Sequence, residues 1–255
     1  TQPGDGILIL TPGYPQFKNT VVNTGRTVLD SHLIPDEKGH YTLDLEDFRE
    51  KAKQAKIFYL CSPQNPTGRV WTEEELRELG RICKKHGVIV ISDEIHCDMA
   101  LFGNRHIPFA SVSPEAAACS ITFGAPSKTF NIAGIVSSYA VVPDEELRKR
   151  FFGWIEACEL GSAHIFAHVA TIAAFRKGDE WRRQMIEYIE GNIEFVISYC
   201  KENIPQIRPM RPQASFLVWL DCRDLGLDHD QLINLFIRNS GSFFLSGIGN
   251  EFIYK

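Results

Sequence analysis

Three residues of different chemistry follow three apolar runs in this chain. Asn65 lies in NPTG, after IFYLC at 57–61. Asp93 and Glu94 come directly after VIVIS at 88–92, and Lys128 follows SITFG at 120–124. In parallel α/β sheets, ligands sit beyond the carboxyl ends of the strands. An amide, an acid and a lysine at successive strand exits are therefore expected to converge on one ligand. Taken singly, each has a plainer reading. NPTG is good turn sequence, an acid at a strand exit often caps a helix or binds a metal, and a lone loop lysine normally faces water. Taken together they fit one chemistry. A lysine amine condenses with an aldehyde to a Schiff base, and pyridoxal 5′-phosphate (PLP) needs both that lysine and an acid facing its ring nitrogen. Lys128 and Asp93 are the candidates for those roles. Asn65 is the candidate donor to the ring 3′-oxygen, and Tyr14, in TPGYPQF, the aromatic that stacks on the ring face.

These residues need elements to hold them. Strand and helix signals alternate, which predicts an α/β fold with a mostly parallel sheet flanked by helices. ILIL at 7–10 and residues 26–34 read as strands, and Asp44 is placed to cap a helix over 45–55. Thr72 and Glu75 form a capping-box pattern. The helix behind it carries Leu76, Leu79, Ile82 and Cys83 at helical spacing and stops at Gly87. With the runs on either side it predicts a βαβ unit. SSYAVV at 137–142 and SFLVWLD at 215–221 read as further strands, and HDQLINLFIRN as a last helix. Between them Trp181, Met185, Tyr188, Ile189, Val196, Ile197 and Cys200 suggest one helical stripe. The texture predicts a large domain over 1–185 and a partial, smaller α+β domain over 186–255.

Composition narrows the partners. Of the 255 residues, 44% are hydrophobic and 23% charged, and the formal charge is −5; those values suit a globular protein and leave no basic footprint for nucleic acid. No apolar run approaches the roughly 20 residues that cross a bilayer, so no membrane partner is expected. The seven cysteines include no CxxC pair, which supports neither a zinc site nor a thioredoxin motif and predicts no metal. Free thiols and the lack of a leader pattern predict a cytoplasmic protein.

NPTG, SDEIHCD and SKTFNIAG together resemble the signature of fold-type I PLP enzymes of the class I/II aminotransferase type. More narrowly they are similar to the cystathionine β-lyase, or cysteine-S-conjugate β-lyase, branch typified by the MalY and PatB proteins. That branch reads DEIH after the aspartate, as here at Asp93–His96, where aminotransferases more often have DEIY or DEVY. TPGYPQF near the start and ASFLVWLDCRDLGL near the end extend the likeness over nearly the whole chain. The resemblance implies Lys128 as the Schiff-base lysine and catalytic base, Asp93 as the pyridinium partner and Asn65 on the 3′-oxygen. His96 stands where aminotransferases place a second 3′-oxygen donor, Tyr14 matches the stacking aromatic, and Ser127 matches a phosphate ligand. It also implies an amino-acid substrate and a homodimer.

The likeness has gaps. Relative to the family the chain lacks an N-terminal segment that carries a phosphate-gripping helix start. Val136 stands where some aminotransferases have a phosphate-binding Arg, and Tyr254 where a substrate-carboxylate Arg is expected. These departures predict a truncated chain. The reaction implied is α,β-elimination on L-cystathionine or another cysteine S-conjugate, giving thiol, pyruvate and ammonia. Two alternatives stand beside it: an aminotransferase, which shares the first half of the path, and a catalytically inactive fragment with a regulatory or interaction role. A nucleotide-binding doubly wound domain fits poorly, since no Gly-rich loop joins a strand to a helix.

Overall fold

Apolar runs alternate with capped amphipathic helices, and a parallel sheet results. The computed structural model describes residues 1–36, 39–239, 244–246 and 251–254. The first part runs β1 (Gly6–Thr11), α1 (Pro15–Asn23), β2 (Thr27–His32), β3 (Ile34–Pro35), β4 (Tyr41–Thr42), α2 (Leu45–Ala52) and β5 (Ala55–Cys61). It continues through α3 (Glu73–His86), β6 (Ile89–Asp93), α4 (Pro114–Ala117), β7 (Ser120–Gly124) and β8 (Tyr139–Val141). The rest is α5 (Glu145–Ala157), α6 (Ile165–Lys177), α7 (Asp179–Asn203), β9 (Arg208–Pro209), β10 (Val218–Asp221), α8 (His229–Ile233), β11 (Phe244–Ser246) and β12 (Glu251–Tyr254).

Six strands form the main sheet in the order β2-β1-β5-β6-β7-β8. All pairings are parallel except β7 with β8, which is antiparallel. The sheet is thus mostly parallel and flanked by helices, as expected. SSYAVV differs in detail: only Tyr139–Val141 pair, and they run backwards at the sheet edge.

Local chemistry explains the helix limits. Asp44 accepts from the Glu46 and Asp47 amides at the start of α2. The capping box of α3 is complete, with Thr72 bonded to the Glu75 amide and Glu75 back to the Thr72 amide. Gly87 ends α3 in the left-handed region at φ 68°, where a Cβ would be strained. Leu76, Leu79, Ile82 and Cys83 are buried by that helix. Each fully buried Leu or Phe side chain contributes roughly 1.5–3 kcal/mol.

Strand β10 lies between two cores. Leu217 and Trp219 pack with Phe48, Phe58, Leu60 and Leu79. Val218 and Leu220 pack with Ile193, Cys200 and Leu232. The period-two alternation of a strand produces this division. β10 pairs with β9 and β12 in a second, antiparallel sheet.

Three expectations are corrected in detail. The strand at 215–221 begins only at Val218, because Ser215 takes φ 77° and breaks the extended run. The last helix is α-helical only to Ile233 and widens to a π turn over Asn234–Asn239. On α7 the packed stripe is Ile186, Ile189, Ile193, Val196, Ile197 and Cys200, while Tyr188 is 71% exposed. Helix α7 is continuous from Asp179 to Asn203. Helix α6 buries only Ala167 and leaves Ile165, Phe166, Val169 and Ile172 exposed. No helix among the described residues is long and apolar enough to cross a membrane.

Candidate active site

The strand order reverses beside β1, which has β2 on one side and β5 on the other. Crevices open at such points, beyond the carboxyl ends of the strands. Register puts Cys61 opposite Asp93 and Asp93 opposite Phe123, so β5, β6 and β7 end level. Neighbouring strands lie ~4.8 Å apart, which places the first and third exits within about 10 Å. The loops carrying Asn65, Asp93 and Lys128 therefore leave one edge side by side. Tyr14 leaves β1, one strand further out.

Asp93 is the last residue of β6. Its carboxylate accepts from the Ile95 amide at 3.2 Å, and its carbonyl accepts from the Ser62 amide at 2.9 Å. Burial raises its pKa; the Ile95 bond and the positive charge of Lys128 oppose that rise, and the negative charge of Glu94 adds to it. Lys128 and Ser127 are half-buried in a turn closed by bonds from Phe130 N to Pro126 O (2.9 Å) and from Ile132 N to Ser127 O (3.0 Å). Asn65 is half-buried in its loop. His96 is buried, with its ring 5.7 Å from that of Phe216. Tyr14 keeps an exposed face and meets Phe17 edge-on at 5.6 Å, and Phe17 stacks on Tyr59 at 5.0 Å.

Of the six residues singled out, the structure brings Asp93 and Lys128 within electrostatic reach and sets Asn65 at the adjoining exit. Ser127 shares the turn of Lys128, and His96 shares that of Asp93. Several buried polar atoms in and beside these loops have no hydrogen-bond partner among the described residues, including Gln64 Oε1, Thr67 Oγ1, Arg69 Nη1, Thr129 Oγ1 and Ser215 Oγ. A site built for a polar ligand leaves such atoms open.

Sequence reasoning missed several residues that shape this edge. Gln64 Nε2 donates to Pro12 O at 2.9 Å and ties the Asn65 loop to the Tyr14 loop. Gln213 N and Ala214 N both donate to Gly68 O, at 2.8 and 2.9 Å, and Gln213 Oε1 accepts from Val70 N at 3.0 Å. Ser215 N donates to Met99 O at 2.9 Å, and Leu101 N to Gln213 O at 2.8 Å. Residues 213–215 thus staple the loop after β5 to the segment after β6. Nothing local in the sequence marks that pairing. Glu94 is the other omission. It is buried and bonds to Ser92, His106 and the Phe109 amide. A cavity of about 840 Å³ lies beside it, lined by Glu94, Cys97, Asp98, His106, Tyr139 and Arg182 among others. None of the six singled-out residues lines it, so the strand exits and not this cavity define the candidate site.

The model of the family "Aminotransferase class I and II" matches residues 1–241. The chain is 41% identical over 234 residues to cystathionine beta-lyase PatB of Bacillus subtilis (strain 168), covering 91% of this chain and 60% of that protein. It is 34% identical over 235 residues to protein MalY of Escherichia coli (strain K12), covering 91% and 59%. Among solved structures, cystalysin from Treponema denticola, which contains PLP, superposes with a TM-score of 0.95 at 32% identity, covering all of this chain and 66% of that one. The chain therefore spans about 60% of the length of the curated relatives it matches.

Proposed function

Because the chain belongs to the aminotransferase class I and II family, we propose that it is the greater part of a PLP-dependent carbon–sulfur lyase acting on L-cystathionine or another cysteine S-conjugate. The observation that carries this reading is the exit of Asn65, Asp93 and Lys128 from three adjacent parallel strands, with Lys128 acting on the Asp93 carboxylate. The name of a relative 41% identical to the chain, cystathionine beta-lyase PatB, supports the substrate class.

The residues present fit PLP. Bound there, it supplies an aldehyde for an amine and a ring that accepts electrons from the substrate α-carbon. Lys128 Nζ would hold the cofactor and, when free, could take the substrate α-proton. The Asp93 carboxylate, at the end of β6, would keep a proton on the pyridine nitrogen. Asn65 and His96 would orient the ring through its 3′-oxygen, Tyr14 would cover one face, and Ser127 would bond the phosphate. The proton leaving Cα passes to Nζ, the Cβ–S bond breaks, and the thiolate departs with its electron pair. Water then completes the release of pyruvate and ammonia.

The reading extends to a smaller domain over 186–255, supported by the second, antiparallel sheet. It includes a homodimer, supported by the apolar face of α6, and a cytoplasmic location, supported by seven free cysteines. The test is the visible spectrum of the purified chain with PLP, beside Lys128→Ala. A band in the wild type that the variant lacks is expected, followed by pyruvate from cystathionine. Amino transfer to a keto acid without pyruvate would move the assignment to an aminotransferase, and a folded chain without the band would overturn it.

A further inference from the structure

Glu94 follows Asp93 in sequence but engages different partners. Its backbone N–H donates to Phe123 O of β7 at 2.8 Å. Carboxylate Oε1 accepts from Ser92 Oγ and from the Phe109 amide, both at 2.9 Å. Oε2 lies 2.8 Å from His106 Nε2. Both side chains of the Glu94–His106 pair are nearly buried, at 5% and 7% exposure. Three donors from three places thus meet one carboxylate: the strand itself, the loop at His106 and the 3-10 turn Phe109–Ser111. A buried carboxylate is tolerable only when bonded in this way.

The same residue closes the turn that leads to the site. Glu94 O accepts from Cys97 N at 2.9 Å, and His96 O from Met99 N at 3.0 Å. Asp93 lies at the start of this turn and His96 within it. Whatever holds Glu94 holds both of them.

We propose that Glu94 is a positioning residue for the cofactor: by bonding Ser92, His106 and the Phe109 amide, it fixes the turn that presents Asp93 and His96. It does so without touching the ligand. This rests on the reading that Asp93 and His96 face PLP. Productive sites tolerate only about 0.5 Å of misplacement, so a loosened turn weakens the grip on the ring. Removing the carboxylate strands the Phe109 N–H and the His106 ring in a buried place, and a lost bond to a charged group amounts to roughly a tenfold change or more.

The test uses the 255-residue chain loaded with PLP. PLP affinity is read from titration of the visible band, and ring placement from visible circular dichroism per bound cofactor. Loss of stability alone does not move the second readout. Glu94→Ala is expected to bind PLP about tenfold more weakly, with a diminished dichroic signal. Glu94→Gln, which keeps an acceptor for Ser92 and Phe109, is expected to restore most of both. Should Glu94→Ala fail to fold, His106→Ala removes one bond and is expected to show the same two changes at about threefold. A folded Glu94→Ala, or in its place His106→Ala, with wild-type affinity and dichroism overturns the inference alone. A wild-type chain with no visible band overturns the cofactor reading beneath it, and the inference with it.

Discussion

Asp93 and Lys128 stand at neighbouring strand exits, and the Lys128 charge acts on the Asp93 carboxyl. Burial pushes the Asp93 carboxyl above the ordinary aspartate range, and the Lys128 charge acts in the opposite direction. The net shift is upward, so the ligand-free chain is penalised for ionising Asp93. A carboxyl raised in this way favours folding below its unfolded pKa, and that contribution is lost as pH rises through the folded value.

Asp93→Asn should therefore act with opposite signs on stability and function. At neutral pH the ligand-free variant should melt higher than the wild type, because no charge is buried. Below pH about 3 the two should converge, since Asp93 is then protonated in both states. With PLP and cystathionine the variant should lose about 10²-fold or more in turnover. Thermal melts across pH and a pyruvate assay check both halves.

Gly68 sets how closely the Asn65 loop approaches the staple. It has φ 68°, and an added Cβ would lie 2.4 Å from Pro212 Cβ and 2.8 Å from Ala214 O. Gly68→Ala combines left-handed strain of roughly 1–2 kcal/mol with that collision. A destabilisation of about 2–4 kcal/mol is expected in urea unfolding, together with weaker PLP binding as Asn65 shifts.

Asp221 joins β10 to Arg223 and Arg208, with bonds of 2.7 and 3.0 Å. Hydrogen bonding from Arg223 lowers its pKa to about 2. A depressed carboxyl stabilises the fold above its unfolded pKa, and that stability fades as pH falls from about 4 toward 2. Asp221→Asn should cost about 1 kcal/mol at pH 7 after solvent screening, and the difference should vanish only below pH about 2. Melting temperatures from pH 7 to pH 2 follow the loss.

Trp219 is almost wholly buried, and its Nε1 donates to the Tyr41 hydroxyl at 3.2 Å. Trp219→Ala is expected to destabilise by about 3–5 kcal/mol. Tyr41→Phe, which removes the hydroxyl that accepts from Trp219, should cost about 1 kcal/mol. Denaturant midpoints for the pair separate packing from hydrogen bonding.

Short-range signals were the readable ones. The Thr72–Glu75 box, the Gly87 stop and the apolar runs before Asn65, Asp93 and Lys128 each span a few residues, and their physics is local. The long helix was harder. Over 25 residues a small error in phase accumulates: the expected stripe takes in Trp181, Met185 and Tyr188, whereas the packed one has Ile186 and Ile193. Glu94 was in view beside Asp93, yet its partners His106 and Phe109 come from an irregular segment with no periodicity to read. The left-handed backbone of Ser215 was invisible for a related reason: tertiary bonds to Met99 hold a conformation that its own side chain does not favour.

The staple at residues 213–215 also bears on when the site can appear. The bond between Val70 and Gln213 spans 143 positions. A ribosome adding roughly 5–20 residues per second needs on the order of ten seconds to cover that span. During that interval the emerging Asn65 loop lacks its anchor, and so does the segment after β6. The bonds that tie the Asn65 loop to the segment after β6 are thus made only after synthesis has passed Ser215.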